Sequence, residues 1–120
     1  MIHHASIDVA SLEKSGHFYD MVLGPLGWRR LVDTDSVIGW GMVRPVFFVS
    51  DVRPPGSGGW KLCFKAKTIP AVKHSWESGI NAGGSDAGEP SLRPEYGSTY
   101  YSAYLRDPDG YYIEVAVGND

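Results

Sequence analysis

The chain has 120 residues, of which 42% are hydrophobic and 21% are charged, and its formal net charge is −3. This length suits one domain, and this composition excludes a disordered or collagen-like chain. The 11 lysine and arginine residues are scattered rather than clustered, which argues against nucleic acid as a partner.

The number of cysteines and the N-terminal residues indicate the cellular compartment. Cys63 is the one cysteine, so an intrachain disulfide and a paired-cysteine metal site are excluded. Residues 1–5 lack a basic segment followed by a long apolar run, and no stretch is apolar for long enough to span a bilayer. We therefore expect one domain over residues 1–120 in the cytoplasm, with no signal peptide and no membrane partner.

The first half of the chain predicts the element order βαβββ. Alternation over residues 4–9 indicates a strand with His4, Ser6 and Asp8 on its polar face. Ser11 can cap a helix whose apolar residues recur at helical spacing until Gly24 and Pro25 end it. Three short strands are then predicted, over residues 28–32, 36–41 and 46–49.

The same order restarts after a proline- and glycine-rich loop at residues 54–59. A strand is predicted over residues 60–66, followed by a helix that Thr68 caps and that carries Pro70 in its first turn. The helix ends between residues 79 and 84, and a linker of small residues, with a weak strand signal at 85–87, reaches Pro90. Two final strands are predicted over 98–105 and 111–117, joined by a turn at 107–110.

The two halves share an element order with little residue identity. This pattern predicts an α+β fold made of two βαβββ repeats, about residues 1–53 and 59–118. An unrelated α+β sandwich also fits the pattern.

Two blocks of sequence carry a family resemblance. The first is HASIDV at residues 4–9 with SGHFYDMVLGPLGW at 15–28, and the second is RPEY at 93–96 with YYSAYLRDPDG at 100–110 and IEV at 113–115. In order and spacing, these blocks resemble the vicinal oxygen chelate superfamily of glyoxalases, bleomycin resistance proteins and extradiol dioxygenases. The resemblance implies a curved mixed sheet around a cup-shaped cavity.

The resemblance also implies a divalent metal, Ni, Zn, Mn or Fe, held in the cup by the first and last strands of each repeat. His4 and Glu114 match two of the expected ligand positions and are the candidate metal ligands and catalytic acid/base residues. Lys61 replaces the histidine expected at the start of the second repeat, and residues 47–48 offer no acid. Because a protonated lysine has no lone pair, an ordinary metal site is in doubt. Metal-dependent lactoylglutathione lyase and dioxygenase chemistry are disfavoured for the same reason.

Four further residues are candidates for binding a small-molecule ligand: Lys61, Arg93, Tyr101 and Tyr112. Lys61 and Arg93 can bind an anionic group, and the two tyrosines suit a cavity wall because each has an apolar ring and a polar end. We expect the cup to be lined by His4, Ser6, Lys61, Cys63, Tyr112 and Glu114. We also predict that Lys61 and Glu114 form an ion pair where other members hold a metal.

Three functions fit this sequence. The first is a lyase, isomerase or dioxygenase-like enzyme acting on a small oxygenated substrate, the second a non-catalytic protein that sequesters such a ligand, and the third an interaction module with a vestigial cup. A homodimer is expected, because small members of this family commonly bury sheet edges against a partner chain. The sequence leaves open whether the repeats pair within one chain or between two.

Overall fold

The structure is a computed structural model that describes residues 2–56 and 61–118. The first half contains β1 (Ala5–Asp8), α1 (Leu12–Leu23), a short 3₁₀ helix (Gly24–Leu26), β2 (Arg29–Asp33), β3 (Val37–Gly41) and β4 (Phe47–Ser50). The second half contains β5 (Lys61–Lys65), α2 (Ile69–Asn81), β6 (Ser85–Leu92), β7 (Tyr101–Arg106) and β8 (Tyr112–Val117). None of the helices in the described ranges is long and apolar enough to cross a membrane.

The strands form two four-stranded sheets with the same internal topology. The first sheet has the order β1-β4-β3-β2 and the second the order β5-β8-β7-β6. In each sheet the opening strand runs parallel to the closing strand of its unit, and the other neighbours are antiparallel. The predicted α+β fold of two βαβββ repeats is confirmed.

Both helices begin where their caps were predicted. The hydroxyl of Ser11 accepts a hydrogen bond from the Lys14 backbone N–H at 3.1 Å, and that of Thr68 accepts one from the Ala71 N–H at 3.2 Å. Each hydroxyl therefore satisfies a backbone donor that has no partner within its helix.

The segment before Pro90 differs from the prediction. We expected a linker with a weak strand at 85–87, but residues 85–92 form the complete strand β6. Proline is tolerated there because β6 is the edge of its sheet and its pairing with β7 is interrupted by irregularities between Asp86 and Ser91. The predicted strand at 60–66 is present as Lys61–Lys65. Trp60 and residues 57–59 of the predicted loop lie outside the described residues.

One hydrophobic cluster connects the two units. It contains the inner faces of both sheets together with helix residues such as Phe18, Val22 and Val72. The helices touch through Ser75, whose buried hydroxyl donates to the Val22 carbonyl at 2.7 Å. At Gly79 a Cβ atom would lie 2.5 Å from Leu105 Cδ1, so this close approach of α2 to β7 requires glycine.

A buried carboxylate in the β7–β8 turn also joins the units. Asp107 accepts hydrogen bonds from the Tyr19 hydroxyl at 2.6 Å and from the backbone N–H groups of Asp109 and Tyr111 at 2.9 Å. Burial raises the pKa of Asp107, and these donors act in the opposite direction. The Tyr111 hydroxyl in turn donates to the Asp8 carbonyl at 2.6 Å. The turn predicted at residues 107–110 therefore also holds the second unit against α1 and β1.

We predict that Asp107→Ala lowers the free energy of unfolding by about 2–4 kcal/mol, because it leaves several buried donors without an acceptor. Asp107→Asn keeps one acceptor oxygen and should cost less. Urea denaturation measures both changes, with Asp35→Ala at an exposed position as the control. A loss below about 0.5 kcal/mol for Asp107→Ala would show that this turn does not hold the units together.

Candidate functional site

One face of the second sheet packs against the core, and the opposite face carries polar and aromatic side chains. Strand register places Cys63 beside Glu114, and Glu114 beside Tyr104, on three adjacent strands. We call this surface the polar face; it consists of Lys61, Cys63, Tyr104, Arg106, Tyr112 and Glu114, with Arg93, Tyr96 and Tyr100 from the neighbouring segment.

At its centre Glu114 is held by two side chains. Its Oε1 atom lies 2.9 Å from the Lys61 ammonium, and its Oε2 atom accepts a hydrogen bond from the Tyr100 hydroxyl at 2.9 Å. The Glu114 side chain is 3% exposed, whereas that of Lys61 is 39% exposed. The predicted ion pair is confirmed, and its cation retains access to solvent.

The environment keeps both members of the pair charged. Burial alone would raise the pKa of Glu114, but hydrogen bonds from Lys61 and Tyr100 and the positive charge of Lys61 outweigh burial and lower the pKa. The hydrogen bond to Glu114 raises the pKa of Lys61. At neutral pH Glu114 is therefore a carboxylate and Lys61 an ammonium.

Two tyrosine rings near the ion pair stack on each other, and cationic side chains lie over both rings. The rings of Tyr104 and Tyr112 lie 5.4 Å apart at an interplanar angle of 12°. Lys61 Nζ and the Arg93 guanidinium each lie 5.1 Å from the Tyr104 ring centre, and the Arg106 guanidinium lies 5.0 Å from that of Tyr112. Burial raises the pKa of Tyr104 to about 12, so its hydroxyl is neutral and can donate a hydrogen bond.

Two predicted ligand-binding residues occupy different surroundings. Arg93 lies at the polar face, where its Nη2 atom donates to the carbonyls of Glu89 at 2.7 Å and Ser102 at 3.3 Å. Tyr101 is instead buried in the hydrophobic core, on the opposite side of β7 from Tyr104. Alternation along β7 separates these two tyrosines, so Tyr104 stands beside Glu114, and the prediction of Tyr101 as a cavity-wall residue is wrong.

His4 lies where the two sheets approach each other. It is exposed, its ring meets Phe48 edge to face at a centroid distance of 5.6 Å, and its Nδ1 atom is 3.0 Å from Nδ1 of His3. A cleft of about 390 Å³, which we call the seam cleft, brings His4 together with Lys61 and Cys63. A second cavity of about 440 Å³ lies along the first sheet beside His4, Ser6 and Asp8. Both volumes are within the range of small-molecule sites, roughly 300–1,000 Å³.

The donors at these positions do not fit a divalent metal. Across residues 2–56 and 61–118, no group of three or more His, Cys, Asp or Glu side chains is placed to hold one. Glu114 already has a partner on each oxygen, and the Lys61 ammonium has no lone pair. Desolvation and the charge of Glu114 raise the pKa of Cys63 to about 11, so its sulfur is a thiol at neutral pH and a poor ligand. At the fourth-strand position, where the family resemblance implies a metal ligand, Phe48 has an aromatic ring and no carboxylate.

Solved structures with similar folds place the chain among known proteins. A glyoxalase/bleomycin resistance protein from Albidiferax ferrireducens T118 is 30% identical, with a TM-score of 0.85 and coverage of 97% of each chain. A glyoxalase-related enzyme from Fulvimarina pelagi is 21% identical, with a TM-score of 0.75, covering 96% of this chain and 86% of that one. A lactoylglutathione lyase from Agrobacterium tumefaciens is 18% identical, with a TM-score of 0.65 and coverage of 96% and 92%. At these lower identities, the likeness to the last two proteins shows only a shared fold.

No family model and no curated protein matches the chain. The likeness to the Albidiferax protein extends over nearly the whole of both chains, and it agrees with the two sequence blocks and with the paired βαβββ units. The chain therefore belongs to the glyoxalase/bleomycin resistance protein family of the vicinal oxygen chelate superfamily.

Proposed function

We propose that this protein binds a small oxygenated organic ligand without a metal, and that the ligand places an anionic or polar oxygen against Lys61. The observation that carries the proposal is the Lys61–Glu114 ion pair at 2.9 Å. A buried lone carboxylate would cost several kcal/mol, and the lysine ammonium offsets that cost as a cation would. The metal position of the family is then filled by a side chain.

Two features of the polar face support an oxygen-bearing ligand. Lys61 is partly exposed, so its ammonium can donate to a ligand oxygen while it stays bonded to Glu114. The Tyr104 ring lies beside Lys61, and the Arg93 guanidinium lies against the same ring. These donors favour a sequestering role of the kind known from resistance proteins, with Tyr112 as part of the wall.

We also propose that this protein acts in the cytoplasm as a homodimer.

A metal-free lyase or isomerase is the second candidate. His4 is exposed and lines the same cleft as Lys61, where a neutral imidazole can accept a proton from a bound substrate. In this case Glu114 acts through Lys61, which it holds in place. His4→Ala would abolish turnover and leave ligand affinity within about twofold, whereas Lys61→Met would weaken binding itself.

We predict that Lys61→His raises the affinity for Ni or Zn, because it restores an imidazole beside Glu114. Calorimetric titration of chelator-treated protein measures this change. Lys67→His, at an exposed position beyond the end of the same strand, adds an imidazole away from Glu114 and should leave metal affinity unchanged. If the native protein binds an equivalent of Ni or Zn tightly and Lys61→His adds nothing, the metal-free account is wrong.

The ion pair should also appear in the pH dependence of stability. The pKa of Glu114 is lowered from its usual 4.5, so its contribution is complete above that value and is lost as pH falls through the folded pKa. The pKa of Lys61 is raised from its usual 10.5, so its contribution is complete below that value and is lost as pH rises through the folded pKa. Between these limits the pair stabilises the fold.

We therefore predict that Lys61→Met lowers the free energy of unfolding near neutral pH by about 2 kcal/mol, since a buried carboxylate loses its cation while Tyr100 remains. The variant should gain stability as the pH falls, because protonation of Glu114 then removes the buried charge. Urea denaturation at several pH values measures both effects, and the double variant Lys61→Met/Glu114→Leu should lose the acid-side gain. A flat profile for Lys61→Met would mean that the pair contributes nothing.

A further inference from the structure

Beyond the polar face, two cavities meet at one tryptophan. Trp28 lines the seam cleft and also a neighbouring cavity of about 290 Å³, whose other lining residues are Leu26, Met42, Lys65 and Lys67. We call the two cavities together the Trp28 groove. It follows β5, an edge strand of the second sheet, and faces the start of β2 and the β3–β4 connection of the first.

The walls of the Trp28 groove are apolar. Trp28 meets Phe64 edge to face at a centroid distance of 5.7 Å, and Phe64 meets Phe47 at 5.2 Å. At the rim Ile2 is 82% exposed and Met42 is 52% exposed. Apolar surface that remains open to solvent next to a cavity commonly marks a place where a ligand or a partner binds.

The charges around the groove have one sign. Arg44 and Lys61 line its first cavity and Lys65 and Lys67 its second, and no Asp or Glu in the described part of the chain, residues 2–56 and 61–118, lines either of them. Lys61 is paired with Glu114, and Arg44 donates to the neutral backbone carbonyl of His3 at 3.2 Å. The chain as a whole has 14 acidic residues against 11 basic ones, so this local excess of cations is opposite to its net charge.

This sign of charge decides between two occupants. In a dimer with twofold symmetry the same patch of both copies would meet, so the cations of both copies would be brought into one interface. Such like-charge contact in an apolar setting is unfavourable. An amphipathic anion avoids this repulsion. Its apolar body can pack against the apolar walls, and its negative charge is attracted by the cations at the rim.

We propose that the Trp28 groove binds an amphipathic organic carboxylate, with its apolar body against Trp28 and Met42 and its carboxylate near Lys65 and Lys67. This site does not use Glu114 and does not depend on the ligand proposed for the polar face. A straight-chain fatty carboxylate of medium length is the simplest member of this class.

The test is calorimetric titration of the full chain with decanoate below its micelle concentration. We expect saturable binding at one site, with acetate and decyltrimethylammonium much weaker. Lys67→Glu should weaken decanoate binding by about tenfold, as expected when a charge-assisted contact is lost. Lys73→Glu, an exposed lysine of α2 that lines neither cavity, makes the same charge change and should leave the affinity unchanged.

The apolar wall is tested at Met42, which is exposed enough for substitution without disturbing the core. Met42→Glu should abolish decanoate binding, and Met42→Leu should retain it. Equal affinity for decyltrimethylammonium, binding only as micelles form, or normal binding by Met42→Glu would each overturn the proposal. So would a native dimer that Met42→Glu converts to monomer by light scattering, since a second copy would then occupy the groove. Loss of decanoate binding in Lys61→Met, together with normal binding by Lys67→Glu and Met42→Glu, would place the ligand on the polar face and overturn the proposal.

Discussion

The burial of one carboxylate controls the chemistry of the second sheet. Glu114 sits in an otherwise apolar strand, between Ile113 and Val115, and its side chain is almost completely enclosed. A charge in that position requires a compensating cation or strong donors, and Lys61 and Tyr100 supply both. Because both oxygens are engaged and the cation comes from the chain itself, the donor set of a metal centre is no longer present. The polar face offers hydrogen-bond donors rather than metal ligands.

The position of the seam cleft depends on how the two βαβββ units are joined. The Asp107 turn connects the second unit to α1 through the Tyr19 hydroxyl, and Asp109 accepts from the Ala10 N–H at 3.2 Å just beyond the end of β1. These contacts hold the units at one end. At the other end, the start of β1 lies across the seam cleft from β5, so His4, Lys61 and Cys63 meet there. The same hydrogen bonds that join the two units therefore also fix the position of the cleft.

Local sequence rules predicted most of the fold, and they failed where tertiary context decides. Alternation and caps predicted β1, both helices and the final hairpin, because those signals are properties of the segment itself. Only the start of β6, residues 85–87, was predicted, because the glycine and proline that follow are acceptable only at a sheet edge, and edge position is a property of the assembled sheet. At the candidate site, the pairing of Lys61 and Glu114 was predicted from the family resemblance, which implies that the strands carrying them are neighbours. The role of Tyr104 follows from alternation along β7. Ser102, Tyr104 and Arg106 lie on one face, and Tyr101, Ala103 and Leu105 lie on the core face.

The two candidate binding surfaces differ in how their charges are balanced, and this difference separates their ligands. On the polar face Lys61 is already paired with Glu114, so a ligand oxygen placed against Lys61 gains mainly a directed hydrogen bond. Acidic residues concentrate elsewhere, for example around Arg30, which is bonded to Asp20 at 2.9 Å and Asp33 at 3.3 Å on the outer side of the first unit. Within residues 2–56 and 61–118 no acid lines the Trp28 groove, where cations border apolar walls. Selectivity for the placement of oxygen atoms should therefore be greater on the polar face, and selectivity for an apolar body greater in the groove.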